Sequence, residues 1–440
     1  MAKMKITALV GVLMLLAAAA LTGLASGAAT WWWNPGSACY STYSATVTQL
    51  GGSRQDTFVV TGGAVMGVLY DSNSLDTLKI WKGNGWGSSQ GPLLNKRHNH
   101  TATLLADQTT LLIAGGHYVE TYTIEKKTIT NQWDLDSAEI YDISKKDPSQ
   151  AHRNAGTLKE PRSRHTANLL TVGPYKGRIL VTGGKKQLKG QTTTAILATC
   201  ELYNPADNTW APAGTVPNLE QARYGHTATA LQDGTGRIMV IGGFKGTFPG
   251  DPSIKTEIYD PQDNSWTNGP SLLHARGNHT ATVLANNGRI LVAGGSSNVE
   301  LPGPGDIRDC EFCEKDGTGS ARDLFKPTGS LITARSTHAA VFLDVGPHKN
   351  QALVVGGGTD TCELYDQDTG QWAQTSTKLP PPDVGQSGLR ANLCAFLTNP
   401  ATGEKRVIAV GGWGIKQISQ YTTATFTFEA TATFSSTPPQ

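Results

Sequence analysis

The residues of this chain that could do chemistry come as a repeated pair, an arginine followed three positions later by a histidine. The five pairs are Arg97 and His100, Arg162 and His165, Arg223 and His226, Arg276 and His279, and Arg335 and His338. A single histidine of this kind could act as a general base or a metal ligand. A catalytic centre needs its groups once, so five copies indicate a structural role. We expect each histidine to form a hydrogen bond that ties neighbouring segments together.

A recurrent glutamate is the expected partner of the arginines. Glu139, Glu201, Glu257 and Glu363 each lie two residues before a tyrosine, in the segments AEIYD, CELYN, TEIYD and CELYD. Opposite charges that recur in the same copies predict ion pairs. A sixth arginine, Arg390, is followed by Leu393 where the other copies have the histidine.

The elements that must position these groups begin with a repeated hairpin. Residues 221–243, QARYGHTATALQDGTGRIMVIGG, contain an alternating run, a turn rich in Gly and Asp, and an apolar run that ends in two glycines. This pattern is typical of a β-hairpin. Further copies end at Gly63, Gly116, Gly184, Gly295, Gly357 and Gly412. A spacing of roughly 50 to 70 residues indicates blades or solenoid units.

Two more strands complete each unit. The tyrosine segments predict a third strand, and Trp210, Trp266 and Trp372 follow three of the tyrosines at a fixed distance and predict a fourth. The glycine pair with its spaced Tyr and Trp resembles the kelch repeat over residues 40–420. The resemblance implies an all-β fold, a seven-bladed β-propeller of four-stranded kelch-type blades. The glycine pairs end strands without a helix after them, so they do not indicate a phosphate-binding loop.

The N-terminal segment predicts export. Residues 1–29 combine Lys3 and Lys5 with an apolar run and a stretch of small residues, the layout of a secretory signal, with an uncleaved membrane anchor as the alternative. The propeller would then occupy residues 30–440 in a secreted, periplasmic or cell-surface protein. The formal net charge of +2 comes from the signal, so the rest of the chain has no basic excess for nucleic acid.

The six cysteines suggest several pairings. Cys310 and Cys313 form a C-x-x-C inside a long insertion, which predicts a loop-closing disulfide, with half of a zinc site as the alternative. Cys200 and Cys362 occupy the same slot of different units, so we expect buried, unpaired thiols. Cys39 and Cys394 could meet where the ring closes.

Ligand recognition is expected where the copies differ. The residue before each histidine and the residues after each glycine pair lie at one end of the sheets, which we call the upper face. Arg164 is the charged residue among those that precede the histidines, and it could hold a carboxylate or sulfate. The candidate ligand-binding residues on this face are Asn99, His117, Tyr118, Arg164, Lys185, Tyr224, Phe244, Asn278, Asn392 and Trp413.

The predicted function is that of an exported binding module for a protein or glycan. The alternative is an enzyme on the same face, similar to galactose oxidase or to the kelch-type sialic acid isomerases. The oxidases place a tyrosine directly before the histidine, whereas this chain has Asn99, Arg164, Gly225, Asn278 and Thr337 there, and Tyr224 lies one position too early. We therefore predict no catalytic residues, metal or cofactor, and a monomer that contacts a membrane only through an uncleaved N-terminal segment.

Overall fold

The computed structural model describes residues 30–33, 45–51, 54, 57–66, 72–82, 85–86, 91–124, 127–145, 147–246, 250–285, 287–298, 305–314, 324–344, 348–376, 378–379, 393–398, 405–410 and 423–427. These residues form an all-β propeller, as the repeats predict. One short helix, α1 (Pro148–Ala151), is present among them. None of the described helices is long and apolar enough to cross a membrane. The predicted signal, residues 1–29, lies outside the described ranges.

Six blades are four-stranded antiparallel meanders, each built from one continuous stretch of chain. The first blade consists of β2 (Thr46–Gln49), β3 (Thr57–Thr61), β6 (Leu78–Lys82) and β7 (Gly85–Trp86). The second consists of β8 (Thr101–Leu104), β9 (Thr110–Ala114), β12 (Ser137–Asp142) and β13 (His152–Thr157). The third consists of β14 (Thr166–Leu169), β15 (Ile179–Thr182), β18 (Cys200–Asn204) and β19 (Thr209–Trp210).

The next three blades follow the same order from the innermost to the outermost strand. The fourth blade consists of β20 (Thr227–Ala230), β21 (Ile238–Ile241), β22 (Thr256–Asp260) and β23 (Ser265–Asn268). The fifth consists of β24 (Thr280–Leu284), β25 (Arg289–Ala293), β26 (Cys310–Glu314) and β27 (Leu324–Thr328). The sixth consists of β28 (Ala339–Leu343), β29 (Gln351–Val355), β30 (Cys362–Asp366) and β31 (Gln371–Gln374).

The last copy of the repeat lies in a sheet of different construction. Strands β32 (Leu393–Thr398), β33 (Lys405–Val410) and β34 (Thr423–Thr427) pair in this order, and β1 (Thr30–Trp33) pairs with β34 as the fourth strand. Strand β32 contacts the innermost strands of both the sixth and the first blade. The structure thus corrects the prediction of seven like blades to six, with this sheet of distant chain segments between the last and the first.

The core lies between the blades. The second strand of each blade is apolar without alternation because both of its faces are covered. In β9, Leu111 and Ile113 pack with Val59 and Ile80 of the first blade, while Leu112 packs with Ile179 of the third. Adjacent residues of a strand point to opposite faces, so one run of five apolar or small residues serves two interfaces.

The tyrosine and tryptophan of the third and fourth strands pack on each other. Tyr203 and Trp210 are cross-strand neighbours with ring centroids 5.2 Å apart. Trp210 Nε1 also donates a 2.8 Å hydrogen bond to the carbonyl of Ala155 in the preceding blade. Trp266 and Trp372 do the same towards Pro217 and Gly329. The aromatic pairs therefore join neighbouring blades at their outer edge.

The prediction of a Cys310–Cys313 disulfide is wrong. Neither cysteine forms a disulfide, and both lie on β26, the third strand of the fifth blade, where an insertion was expected. Residues three apart on a strand point to opposite faces, so their sulfur atoms cannot meet. Cys200 and Cys362 are buried and form no disulfide, as predicted. Cys39 and the side chain of Cys394 lie outside the described structure.

Candidate functional site

The five repeated arginines are fully buried structural residues. Arg97 donates from Nη2 to Glu139 Oε1 at 2.9 Å and from Nη1 to the carbonyl of Gly115 at 2.6 Å. The predicted pairs of Arg162 with Glu201, Arg223 with Glu257 and Arg335 with Glu363 are present, and Arg276 adds a fifth pair with Glu311. Each guanidinium thus fastens the segment before the innermost strand to the second and third strands of its own blade.

The five repeated histidines tie each blade to the one before it, as predicted. His165 Nε2 lies 2.9 Å from Oγ1 of Thr101, and His226 Nε2 lies 3.0 Å from Oγ1 of Thr166. Burial, together with the nearby charge of Arg223, lowers the pKa of His226 to about 3. These imidazoles are neutral and enclosed, so they are unsuited to act as bases towards a ligand.

The residues before the histidines form a chain of backbone hydrogen bonds on the upper face. The amide of Arg164 donates to the carbonyl of Asn99 at 2.9 Å, and the amide of Gly225 donates to the carbonyl of Arg164 at 3.1 Å. Asn278 and Thr337 continue the series at 2.9 Å each. We call these five residues the upper ring. The structure therefore brings the predicted site residues Asn99, Arg164 and Asn278 together.

All members of the upper ring have a positive φ, from 49° at Thr337 to 61° at Gly225. Glycine and asparagine adopt this conformation readily, whereas other side chains pay roughly 1–2 kcal/mol for it. Arg164 has φ 52° and is half-buried. The conformation recurs at all five positions and is therefore structural; Arg164 is a candidate ligand contact because it is the charged residue among the five.

Three hairpins stand side by side on the upper face, one from each of the first three blades. They are β4 (Ala64–Met66) with β5 (Ser72–Ser74), β10 (His117–Ile124) with β11 (Lys127–Asp134), and β16 (Lys185–Gln187) with β17 (Thr194–Ile196). Ser74 Oγ accepts from the amide of Val119 at 2.8 Å, and Asp134 Oδ2 accepts from the amide of Gln187 at 2.6 Å. Side-chain acceptors thus join the three hairpins into one wall.

A polar cluster lies where this wall meets the upper ring. His117 Nδ1 is 2.7 Å from the buried carboxylate of Asp134, and its ring meets that of His98 edge-on at 5.2 Å. His98 Nδ1 is 2.9 Å from Ser74 Oγ. Burial holds the pKa of His98 well below its usual value, and the charges of His117, Arg164 and Lys185 lower it further. Arg164 and Lys185 therefore share one electrostatic environment with both histidines.

Tyr224 and Phe244 lie beneath the upper face instead of on it. They are paired across an isolated bridge, their ring centroids are 5.4 Å apart, and their exposed fractions are 1% and 0%. Lys185 Nζ lies 5.5 Å from the centroid of the Tyr224 ring. The prediction that Phe244 is a ligand-binding residue does not fit this burial, which arises because glycines at positions 225 and 277 leave room for its ring.

The remaining predicted residues are dispersed. Tyr118 is half-buried on the β10–β11 hairpin and packs on Trp133 at 4.3 Å, while Asn392 and Trp413 lie outside the described residues. Sequence reasoning missed Ser74, His98, Asp134 and Trp133. His98 could have been found, since it is a titratable residue at a slot that holds Ser, Tyr or Gly in the next three copies.

Known proteins show the same repeat and fold. The Kelch motif family model matches residues 222–273. Kelch-like protein 23 of Mus musculus is 28% identical over 272 residues, which is 61% of this chain and 40% of the mouse protein. Alpha-scruin of Limulus polyphemus is 28% identical over 220 residues, 49% of this chain and 22% of that protein. The chain is a kelch-repeat β-propeller.

Two solved structures share the fold of this propeller. A fungal alcohol oxidase of the AA5 family, in complex with copper, superposes with a TM-score of 0.61 at 15% identity and covers 90% of this chain and 76% of the oxidase. The structure of YjhT gives a TM-score of 0.51 at 13% identity, over 77% of this chain and 99% of YjhT. At these identities the likeness shows the fold alone.

The described residues of the propeller do not fit a copper centre. They contain no group of three or more His, Cys, Asp or Glu side chains that could hold a metal ion. The upper-face histidines are engaged within the chain, His98 Nδ1 with Ser74 and His117 Nδ1 with Asp134. The described upper-ring residues include no tyrosine, and Tyr224, the residue before Gly225, is buried beside Phe244. We therefore derive no chemistry through a metal here.

Proposed function

We propose that this propeller is a binding module that captures a protein ligand on its upper face, with Arg164 as the contact for an anionic group. The observation that carries the proposal is that repeated residues hold the blades together, whereas non-repeated residues lie on the upper face. The repeated arginines and histidines are bonded inside and between the blades, as Arg162 and His165 are. The groups that differ between the blades converge on the upper face around Arg164.

The chemistry of the face favours a ligand with a carboxylate. The planar guanidinium of Arg164 can donate two parallel hydrogen bonds to such a group, and Lys185 adds a second positive charge close by. The wall of hairpins on the first three blades borders the ring on one side. A ligand would therefore meet two half-buried cations, Arg164 and Lys185, whose attraction is stronger than that of cations on an open surface.

A protein ligand is favoured because propellers of this repeat are found as parts of larger kelch-like proteins, such as those matched here. A glycan with an acidic sugar is the alternative that shares the same chemistry. The signal-like segment 1–29 supports export, so we place the module outside the cytoplasm, secreted, in a periplasm or at the cell surface. A monomer suffices for this role.

Binding to an array of glycans and cell-surface proteins tests the proposal. Arg164→Ala should weaken capture at least several-fold, because one bidentate contact is lost. Lys176→Ala is the matched control, since Lys176 is an exposed cation in the β14–β15 connection at the opposite end of the blade. Equal signals for the parent and folded Arg164→Ala would refute the site. Bound copper with peroxide production on alcohols would refute the binding-module assignment.

A further inference from the structure

The β10–β11 hairpin has two unlike faces. Directly opposed residues share a face, and the register pairs Tyr118 with Trp133, Tyr122 with Ile129 and Ile124 with Lys127 on one side, with the polar pair Glu120 and Asn131 between the first two. The other side pairs Thr121 with Thr130 and Thr123 with Thr128, whose hydroxyls are within 3.4 Å of each other. We call Tyr118, Tyr122, Ile124, Ile129 and Trp133 the apolar strip.

The outer half of the strip is exposed. Tyr122 is 39% exposed and Ile124 is 54% exposed, and Leu188 at the tip of the neighbouring β16–β17 hairpin is 39% exposed. Other exposed apolar residues such as Leu273 and Leu324 belong to the fifth blade. Single exposed apolar residues need no explanation, but aromatic and branched side chains in one row mark an interaction surface.

The strip is held in a fixed position. The amide of Thr121 donates to Asn73 Oδ1 at 2.8 Å, and Asp134 joins the stem of the hairpin to the third blade through Gln187. Trp133 packs on Tyr118 on the strip, and Lys189 Nζ lies 4.6 Å from its ring centroid. A partner would therefore meet a preformed surface, which reduces the ordering cost of binding.

The charges at the edge of the strip are positive in effect. Lys127 and Lys189 are exposed. Of the nearby carboxylates, Asp134 is paired with His117, and Glu120 accepts a hydrogen bond from the Tyr118 hydroxyl but keeps its negative charge, so the two lysines outnumber it. Electrostatic complementarity therefore calls for an acidic partner.

We propose that the apolar strip docks a protein segment that presents aromatic or aliphatic side chains next to Asp or Glu residues. The apolar side chains cover Tyr122, Ile124 and Ile129, and the carboxylates pair with Lys127 and Lys189. Tyrosine and tryptophan supply most of the contact energy in such interfaces because they bury large areas with few rotatable bonds. The apolar strip contains no residue of the upper ring, so this proposal does not depend on the role of Arg164.

Selection of a displayed library of random short peptides on the full chain tests the proposal. Selected peptides should combine apolar residues with Asp or Glu, and the double variant Tyr122→Ser, Ile124→Ser should bind them about tenfold more weakly. Lys189→Glu should weaken the acidic peptides and leave neutral ones unchanged. The matched control is Leu273→Ser with Leu324→Ser, which removes exposed apolar side chains of the fifth blade.

Three results would overturn the proposal. One is a selection that yields no peptide above background, or peptides rich in Lys and Arg. Another is equal binding by the parent and by the double variant when both melt at the same temperature. The third is self-association of the parent in sedimentation that the double variant abolishes, because a second copy of the chain would then be the occupant.

Discussion

Arg276 and Glu311 form a completely buried ion pair in the fifth blade. Nη2 of the arginine lies 2.9 Å from Oε1 of the glutamate, and both side chains are 0% exposed. The guanidinium also donates to the carbonyls of Gly294 and Asp309 at 2.7 Å each, and Glu311 Oε2 accepts from the amide of Leu273. The pair therefore joins the segment before β24, which contains Leu273 and Arg276, to β26 and to the residues that follow β25 and precede β26.

Glu311→Ala should destabilise the propeller by about 3–5 kcal/mol, because it leaves the buried Arg276 charge without its partner. Urea unfolding followed by circular dichroism measures this change. Glu314→Ala is the control on the same strand, since Glu314 is one-third exposed in its pairs with Arg289 and Lys326 and should cost at most about 1 kcal/mol. Equal losses for the two variants would contradict the structural role of the buried pair.

The fifth blade also shows where sequence prediction failed. Cys313 occupies the position that tyrosine holds in other blades, and Phe325 opposite it replaces the tryptophan. Two of the diagnostic residues were thus missing, and the C-x-x-C spacing suggested a disulfide loop instead of a strand. Cys310 and Glu311 repeat the Cys-Glu of Cys200 and Glu201, and this shared pair was the available signal.

The site was predicted in part for a similar reason. Sequence alternation and repeats identify which residues reach the upper face, so Asn99, Arg164 and Asn278 were placed correctly together. Sequence repeats cannot show whether a side chain at the upper face is exposed there or buried beneath it. Phe244 is buried because Gly277 leaves space for its ring, a relation between two blades that a single repeat does not contain.

Stability should fall steeply with acid. Burial lowers the pKa of His226 and His338 to about 3, below the value of about 6.5 in the unfolded chain. Their contribution is therefore complete above pH 6.5 and is lost as the pH falls from 6.5 towards 3, because the unfolded state binds the protons. Each histidine should add about 1.4 kcal/mol per pH unit to the slope. Urea unfolding between pH 7 and pH 4.5 measures it.

His226→Ala should destabilise the fold by about 1–3 kcal/mol at pH 7, because Thr166 loses its hydrogen-bond partner. The variant takes up one proton fewer on unfolding, so its stability should approach that of the parent as the pH falls. His274, an exposed histidine, provides the control substitution. A gap between parent and His226→Ala that stays constant from pH 7 to pH 5 would show that His226 is not buried in its neutral form. Ligand capture by folded His226→Ala should match the parent.

Gly277→Ala should disturb the packing beneath the upper ring. A Cβ atom at this position would lie 2.2 Å from Cε2 of Phe244 and 2.5 Å from Cδ2, so we expect a loss of about 1–3 kcal/mol from overpacking. Overpacking is the whole effect, since Gly277 is not among the glycines with a positive φ and an alanine there meets no left-handed backbone strain. Combining Gly277→Ala with Phe244→Leu should recover part of the loss in a double-mutant cycle. Strict additivity would show that the two sites do not touch.

Cys310 and Cys313 should behave as inert buried thiols even in an oxidising compartment. Cys310 is 3% exposed and Cys313 is 5% exposed, and burial raises the pKa of Cys310 to about 12, so the reactive thiolate is absent at neutral pH. Iodoacetamide should leave both unlabelled in the native protein and label both after unfolding in urea. Mass spectrometry of the unreduced peptide that contains both residues shows whether they form a disulfide. A peptide lighter by two hydrogens would establish the disulfide and displace β26 from the fifth blade.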